Sequence, residues 1–443
     1  MENVCLISLG CAKNLTDSEV MLYKLKEAGY NITTREDNAE IIIVNTCCFI
    51  DSAKQESIDM ILDVADYKKV AKLKYLIVAG CMGERFKEEI LEELPEVDGV
   101  CGTGDFENIV SVIEKTKEKR GIYLDGCMNA LLDTSERILA TPSYTAYLKI
   151  AEGCDNHCTY CVIPSIRGTY RSRTKESIIA EAAKLAENGV KELIIIAQDT
   201  SCYGKDLYGR FVLPELLEEL SEIDKIKWIR LHYLYPEEIT DELIETIRCN
   251  SKILNYFDIP LQHISDGVLK RMGRKTSKAD IINLIGKIRK EIPNAVIRTS
   301  LIVGFPGESE EDFAQLVDFV RDWKIERAGV FPFSCEEGTP AAKLDSQLED
   351  EIKLKRHEHI TDVLYELADE ICEEKEGKTF ECLVEGYDKS IKMYYGRTYM
   401  DSIDVDPKIF ISAKDKNINP GDFIKVLVDS SIDGNLMGEI VEE

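Results

Sequence analysis

Short apolar runs alternate with amphipathic helical stretches through most of the chain, and this alternation limits the possible folds more than any other feature. Parallel strands cannot be joined by tight turns and need a crossover, which is usually a helix. In residues 1–140 the runs are Val4–Leu9, Ile41–Asn45 and Tyr75–Ala79. The first crossover helix is predicted to begin at a capping box, Thr16–Glu19, and to end at Gly29. Residues 1–140 are therefore predicted to form an open parallel α/β domain.

The same alternation continues on a larger scale in residues 143–372, the second predicted domain. Six strand–helix units in succession predict a partial (βα)6 barrel, and a long charged helix at about 346–376 closes the segment. The six strand candidates are Ala146–Ile150, Glu192–Ala197, Trp228–Leu231, Tyr256–Ile259, Val296–Ile302 and Gly329–Phe333.

Residues 377–443 have a different character, with short strand patterns separated by turns that contain Gly, Asp or Pro. Such a pattern predicts a small antiparallel β-barrel. The chain of 443 residues, 44% of them hydrophobic, is long enough to bury more than one core. The predicted fold class is thus multidomain α/β with a C-terminal barrel.

Charge and hydropathy bear on partners and location. The net charge is −27, and residues 377–443 carry 8 basic against 13 acidic side chains. Such a chain repels nucleic acid at long range and attracts basic surfaces. No apolar run approaches the roughly 20 residues that span a bilayer, and the N-terminus lacks a secretory signal pattern. We expect a cytoplasmic protein without membrane contact.

The strongest chemical signal is a loop with three cysteines, Cys154, Cys158 and Cys161, directly after a predicted strand. Fifteen cysteines are many for a chain in a reducing compartment, where metal ligation is a better explanation than disulfides. Three thiolates on one loop can hold three irons of a cubane cluster and leave the fourth iron open. The alternative is a zinc site with His157 as fourth ligand, but zinc ligands normally come as two separated pairs.

A second cysteine trio is hidden by its wide spacing. Cys11, Cys47 and Cys81 each follow one of the first three predicted strands. Ligands of an open parallel sheet collect outside the carboxyl ends of its strands, so three thiols there can converge on one point. A lone cysteine is usually a small buried hydrophobe, which is the alternative for each of the three. The repeated placement favours a second metal cluster.

Several other residues lie where the predicted barrel strands end. Gln198 belongs to a polar rim, Ala197–Thr200, and Gly304 belongs to a strand end with two glycines that lets backbone approach a ligand. A simple turn is the alternative for the glycines. Three arginines follow the cysteine loop in an otherwise acidic chain, and ordinary surface positions are the alternative for them. They are Arg167, Arg171 and Arg173.

Both trios and the order of the three segments resemble the methylthiotransferase branch of the radical-SAM superfamily, over essentially the whole chain. The resemblance implies two [4Fe-4S] clusters, with S-adenosylmethionine (SAM) bound to the open iron of one of them. It assigns the first cluster to Cys11, Cys47 and Cys81, and the SAM-binding cluster to Cys154, Cys158 and Cys161. It also implies cofactor contacts and a C-terminal TRAM barrel. The implied contacts come from Tyr160, Gln198, Ile302 and Gly304.

Four motifs are similar to the RimO branch, whose members methylthiolate the β-carbon of an aspartate in ribosomal protein S-twelve. They are SLGCAKN at 8–14, NTCCFIDSAKQES at 45–57, AQDT at 197–200 and RLHYLYP at 230–236. One departure is Cys48, where this branch is expected to have Gly. Arg167, Arg171 and Arg173 are candidates to bind the substrate carboxylate, since Arg can do so bidentately.

The partners implied by this branch are the basic protein S-twelve, an electron donor such as flavodoxin or ferredoxin, and a sulfur donor. The acidic balance agrees with a basic protein substrate and disfavours free tRNA. The nearest alternative is a MiaB-like tRNA-adenosine methylthiotransferase with the same clusters. A second alternative is a non-catalytic iron–sulfur protein, which would normally ligate every iron with cysteine, whereas each trio here stops at three.

Overall fold

A computed structural model of the chain describes residues 1–126, 128, 136–413 and 418–441. The main-chain hydrogen bonds define two six-stranded sheets, a closed five-stranded barrel and a two-stranded ribbon. Within the described part of the chain, no helix is long and apolar enough to cross a membrane. The linker that the sequence suggests at 131–137 lies mostly outside the described residues.

The N-terminal sheet has the strand order β2-β1-β3-β4-β5-β6, and every described pair in it is parallel. Its strands are β1 (Asn3–Ser8), β2 (Asn31–Ile32), β3 (Ile41–Thr46), β4 (Tyr75–Gly80), β5 (Gly99–Val100) and β6 (Gly121–Ile122). Its helices are α1 (Ala12–Glu27), α2 (Asp51–Ala65), α3 (Tyr67–Val70), α4 (Cys81–Glu93) and α5 (Ile109–Glu118), with 3₁₀ turns at Glu36–Asn38 and Phe106–Asn108. The predicted parallel α/β domain is confirmed, and three strands of two residues each extend it beyond the three that the sequence predicts.

Helix α1 begins four residues before the predicted capping box, because Cys11 occupies its N-cap position. The residues Thr16–Glu19 are buried inside the helix and do not cap it. Asp17 instead forms ion pairs with Lys149 and Arg167 of the second unit, and Glu19 pairs with Arg137, which precedes that unit. The predicted end is right, since Gly29 (φ +87°) follows the helix in the left-handed conformation that favours glycine.

The central unit is built on a parallel sheet with the strand order β14-β13-β12-β11-β10-β7. Its strands, with the ribbon β8–β9, are β7 (Thr145–Lys149), β8 (Ala151–Glu152), β9 (Arg171–Ser172), β10 (Glu192–Ile196), β11 (Trp228–Leu231), β12 (Ile253–Asp258), β13 (Val296–Val303) and β14 (Arg327–Pro332). Its helices are α6 (Ile163–Arg167), α7 (Lys175–Glu187), α8 (Lys205–Tyr208), α9 (Leu213–Ser221), α10 (Asp241–Cys249), α11 (Asp266–Arg271), α12 (Lys278–Glu291), α13 (Glu310–Asp322) and α14 (Asp350–Glu373), with 3₁₀ turns at Pro236–Glu238 and Ala341–Lys343. This is the predicted six-stranded partial barrel.

The C-terminal unit is a closed barrel with the strand order β15-β16-β17-β19-β18. Its strands are β15 (Thr379–Asp388), β16 (Met393–Arg397), β17 (Ile409–Ser412), β18 (Phe423–Ile432) and β19 (Asn435–Ile440). Four of the five strand pairs are antiparallel, as predicted, while β17 and β19 pair in parallel.

The segment 398–406, between β16 and β17, inserts into the central unit. Ile403 packs against Tyr147, Ile194 and Ile196, which share one face of the sheet. The alternate residues of the same strands lie on the other face, in a separate apolar cluster. Polar contacts follow, with Ser402 Oγ 2.9 Å from His232 Nε2. The C-terminal barrel therefore contributes side chains to the interior of the partial barrel.

Candidate functional site

The first cysteine trio lies at one edge of the N-terminal sheet. Cys11 is the N-cap of α1, Cys47 directly follows β3, and Cys81 is the first residue of α4. Strands β1, β3 and β4 are parallel neighbours, so their carboxyl ends meet at this edge. Burial raises the pKa of the Cys81 thiol to about 12, with the Arg167 charge opposing the shift and Cys11 and Cys47 contributing to it.

Two glycines make this convergence possible. Gly10 has φ +84°, and a Cβ added to it would lie 2.5 Å from Cys47 Cβ and 3.0 Å from Cys47 Sγ. Gly80 has φ +85°, and its added Cβ would lie 2.1 Å from Asn45 Oδ1. Both glycines immediately precede a cysteine of the trio, so the two loops come together only without a side chain there.

We expect Gly10→Ala to lower iron loading at the first trio. The new methyl group pushes against Cys47, and the left-handed backbone adds strain of about 1 kcal/mol. The measurement is iron and acid-labile sulfide per chain after anaerobic reconstitution.

Gly29→Ala is the matched control, because Gly29 has a similar φ of +87° but open space around an added Cβ. Equal iron content in the two variants would contradict the geometric argument.

The second trio lies on the loop after β8, before helix α6. Cys154 and Cys158 are buried, and Cys161 is partly buried. The backbone amides of Asn156 and Ile163 donate to the sulfurs of Cys154 and Cys161, each at 3.4 Å. Amide donors of this kind are common around cluster thiolates.

The structure does not support His157 as a fourth ligand. Its side chain is exposed, whereas the neighbouring Cys154 and Cys158 are buried. Burial raises the pKa of the Cys161 thiol to about 12, and the charges of Cys158 and Cys154 contribute to that shift. The donor set is thus three thiols, which suits a cubane cluster with one open iron better than zinc.

Three of the predicted cofactor contacts lie beside this loop. The ring of Tyr160 packs edge-on against Phe305, with centroids 6.5 Å apart, and Ile302 belongs to the same apolar cluster. Gly304 is predicted to contact the cofactor, but its neighbour in the structure is Lys353 of α14. A Cβ added to Gly304 would lie 2.5 Å from Lys353 Cγ. Its lack of a side chain therefore admits helix α14.

The fourth predicted contact, Gln198, offers an acceptor at the carboxyl end of β10. Its Nε2 donates to the carboxylate of Glu152. Its Oε1 is buried and has no hydrogen-bond partner among the described residues. A buried acceptor without a partner is costly unless a ligand donates to it, and the amino group of SAM is a suitable donor. The residues present therefore fit the cofactor.

The three candidate arginines are placed differently from the prediction. Arg167 Nη1 lies 2.6 Å from Asp17 and 3.2 Å from Glu152, and Arg173 Nη1 lies 2.6 Å from Glu181. Arg171 donates to the carbonyl of Thr169 at 2.6 Å. Arg167 and Arg173 are buried, and their charges are matched by the chain's own carboxylates, as buried charges must be. A role in binding a substrate carboxylate is therefore not supported for these two arginines.

Sequence reasoning gave Arg167 a different role and did not single out Tyr235 or Arg274, and all three contact the cysteines. Arg167 Nη2 lies 3.6 Å from Cys81 Sγ, Tyr235 Oη lies 3.2 Å from Cys158 Sγ, and Arg274 Nη1 lies 3.8 Å from Cys158 Sγ. Tyr235 belongs to the RLHYLYP motif, which is a signal that could have found it. No local pattern marks Arg274.

Comparison with known proteins agrees with this architecture. The radical SAM superfamily matches residues 148–320, the uncharacterized protein family UPF0004 matches residues 3–102, and the TRAM domain matches residues 377–441. A solved structure of the radical S-adenosylmethionine methyltransferase TsrM from Kitasatospora setae aligns with a TM-score of 0.54. That alignment has 15% identity and covers 77% of each chain, so it bears on the fold alone.

Fold and site together define a radical-SAM enzyme, which implies SAM and a [4Fe-4S] cluster as cofactors. The similar curated proteins carry the name ribosomal protein uS12 methylthiotransferase RimO. One from Clostridioides difficile is 48% identical and covers 100% of both chains, and one from a Thermoanaerobacter species is 49% identical over 99% of this chain and 100% of its own. The chain belongs to the RimO family of radical-SAM methylthiotransferases.

Proposed function

We propose that this enzyme attaches a methylthio group to the β-carbon of an aspartate in ribosomal protein uS12. Cys154, Cys158 and Cys161 hold one [4Fe-4S] cluster, and Cys11, Cys47 and Cys81 hold a second. The observation that carries the proposal is the presence of two separate cysteine trios at the carboxyl ends of strands in one chain.

The number of cysteines in each trio supports a catalytic role over electron transfer. A cluster that only carries electrons normally has a cysteine on every iron, whereas three cysteines leave one iron open. One open iron suits SAM and the other suits the sulfur to be transferred. When bound, the clusters and SAM supply the radical chemistry that activates the target carbon.

The chain's own residues bind and orient the cofactor, and they exclude water from it. Gln198 Oε1 accepts from the bound cofactor, and Tyr160 with Phe305 forms an apolar wall beside the cysteine loop. The buried pair of Arg167 with Asp17 joins the first domain to the partial barrel beside Cys81.

The charge of the chain supports a protein substrate. Ribosomal proteins are basic, and the net charge of −27 attracts such a substrate and repels tRNA. Modification of tRNA is the second candidate, because a MiaB-like enzyme would have the same two clusters. The proposal also requires a cytoplasmic electron donor, such as flavodoxin or ferredoxin, and a sulfur donor.

A competition assay tests the substrate. The reconstituted enzyme is incubated anaerobically with methyl-labelled SAM, sulfide and a reductant, with uS12 and bulk tRNA in the same tube. We expect label on uS12, and we expect tRNA to stay unlabelled. Label in tRNA with unlabelled uS12 would reject the proposal in favour of the second candidate.

A further inference from the structure

The RLHYLYP motif ends near the second cysteine trio, and its Tyr235 has no role in the function proposed above. Tyr235 follows strand β11 and is 9% exposed. Its hydroxyl oxygen lies 3.2 Å from Cys158 Sγ. A cysteine that binds iron is a thiolate and carries no proton, so the hydroxyl must be the donor.

Arg274 approaches the same sulfur from a different element. It is 8% exposed, its Nη1 lies 3.8 Å from Cys158 Sγ, and its guanidinium stands 4.3 Å from the centroid of the Tyr235 ring. Its Nη2 donates to the carbonyl of Pro260 at 3.0 Å, which fixes the guanidinium plane.

No carboxylate of the described residues forms an ion pair with Arg274, although this side chain is buried. Buried cations in proteins are normally paired with an anion. The thiolate of Cys158 is the anionic group that the structure places against it. By contrast, Cys154 and Cys161 accept from backbone amides.

The first trio has an arginine too, but that arginine is neutralised. Arg167 contacts Cys81 and also pairs with Asp17 and Glu152. Two carboxylates cancel most of the field that its charge exerts on the sulfur. Of these two arginines, only Arg274 lacks a carboxylate ion pair among the described residues.

We propose that Tyr235 and Arg274 are positioning residues that raise the reduction potential of the cluster held by Cys154, Cys158 and Cys161. This inference rests on the function proposed above. One-electron reduction makes the cluster more negative by one charge, and hydrogen-bond donors and cations near its sulfur stabilise the reduced state. The pair thus makes this cluster easier to reduce than it would be with backbone donors alone.

Tyr235→Phe removes the donor and keeps the ring under Arg274. In the full-length enzyme with both clusters, a redox titration followed by electron paramagnetic resonance (EPR) reports the reduced fraction. The component that changes on adding SAM identifies the relevant cluster. At the wild-type midpoint potential, we expect the ratio of reduced to oxidised cluster to fall about fivefold. Arg274→Met is expected to lower the ratio further, and Arg274→Lys to recover part of it.

Tyr203→Phe is the matched control. Tyr203 is also buried, but its hydroxyl donates to the carbonyl of Arg173 at 2.9 Å. An unchanged midpoint in Tyr235→Phe, with full iron content, would overturn the inference and leave the proposed function intact. A wild-type enzyme without any SAM-responsive signal would instead overturn the cluster assignment on which the inference rests.

Discussion

Cys158→Ala is expected to abolish SAM cleavage and methylthio transfer. Two ligands remain on the loop, and they cannot hold a cubane cluster with a single open iron. The first trio lies on a different sheet, so its cluster is expected to stay. Iron and acid-labile sulfide should fall to about half of the wild-type content, and deoxyadenosine should not form above background.

Cys249→Ala serves as the control for this variant. Cys249 is exposed at the end of α10, and its Sγ contacts only the side chain of Glu245 on the same helix among the described hydrogen bonds. Full iron content and full turnover are expected. SAM cleavage that survives in Cys158→Ala would refute the assignment of Cys158 as a ligand.

Glu192→Ala is expected to have the largest effect on stability. The buried carboxylate of Glu192 lies 2.6 Å from Arg397 of the C-terminal barrel and 3.1 Å from Arg230 of β11. Removing it leaves the buried Arg230 without a carboxylate, while Arg397 keeps Glu385 at 2.6 Å, and the loss costs about 3–5 kcal/mol. Denaturant unfolding followed by tryptophan fluorescence measures the loss, and Trp228, one of the two tryptophans, pairs in register with Glu192.

An exposed ion pair provides the comparison. Glu245 and Arg248 on α10 form a pair at 2.6 Å with both side chains in solvent, so Glu245→Ala is expected to change stability by less than about 1 kcal/mol. If both variants unfolded at the same denaturant concentration, the contact between the central unit and the C-terminal barrel would not depend on Glu192.

Periodicity predicted most of the framework from the sequence. Trp228–Leu231 matches the observed strand residue for residue, since short apolar runs bounded by turn residues have few other solutions. The edge where Cys11, Cys47 and Cys81 meet followed from a rule about parallel sheets. The two-residue strands β2, β5 and β6 were missed because they are too short to show a period.

Ion pairs between residues far apart in the sequence could not be predicted from the sequence. Arg167 reads as one of three surface arginines, yet its partner Asp17 lies 150 residues away in a segment that resembles a helix cap. No periodic pattern of residues in segment 398–406 predicts its insertion into the partial barrel either. The ligand assignments and the domain boundaries at 1–140, 143–372 and 377–443 stay predictions.

The most direct test of the central claim is the mass of the uS12 peptide that contains the target aspartate. A bacterial strain that lacks its own methylthiotransferase for uS12 is supplied with this chain, and the peptide is isolated from its ribosomes. The proposed function predicts a mass increase equal to one methylthio group in place of hydrogen, located at the aspartate β-carbon. An unmodified peptide, with wild-type levels of this chain and both clusters present, would contradict it.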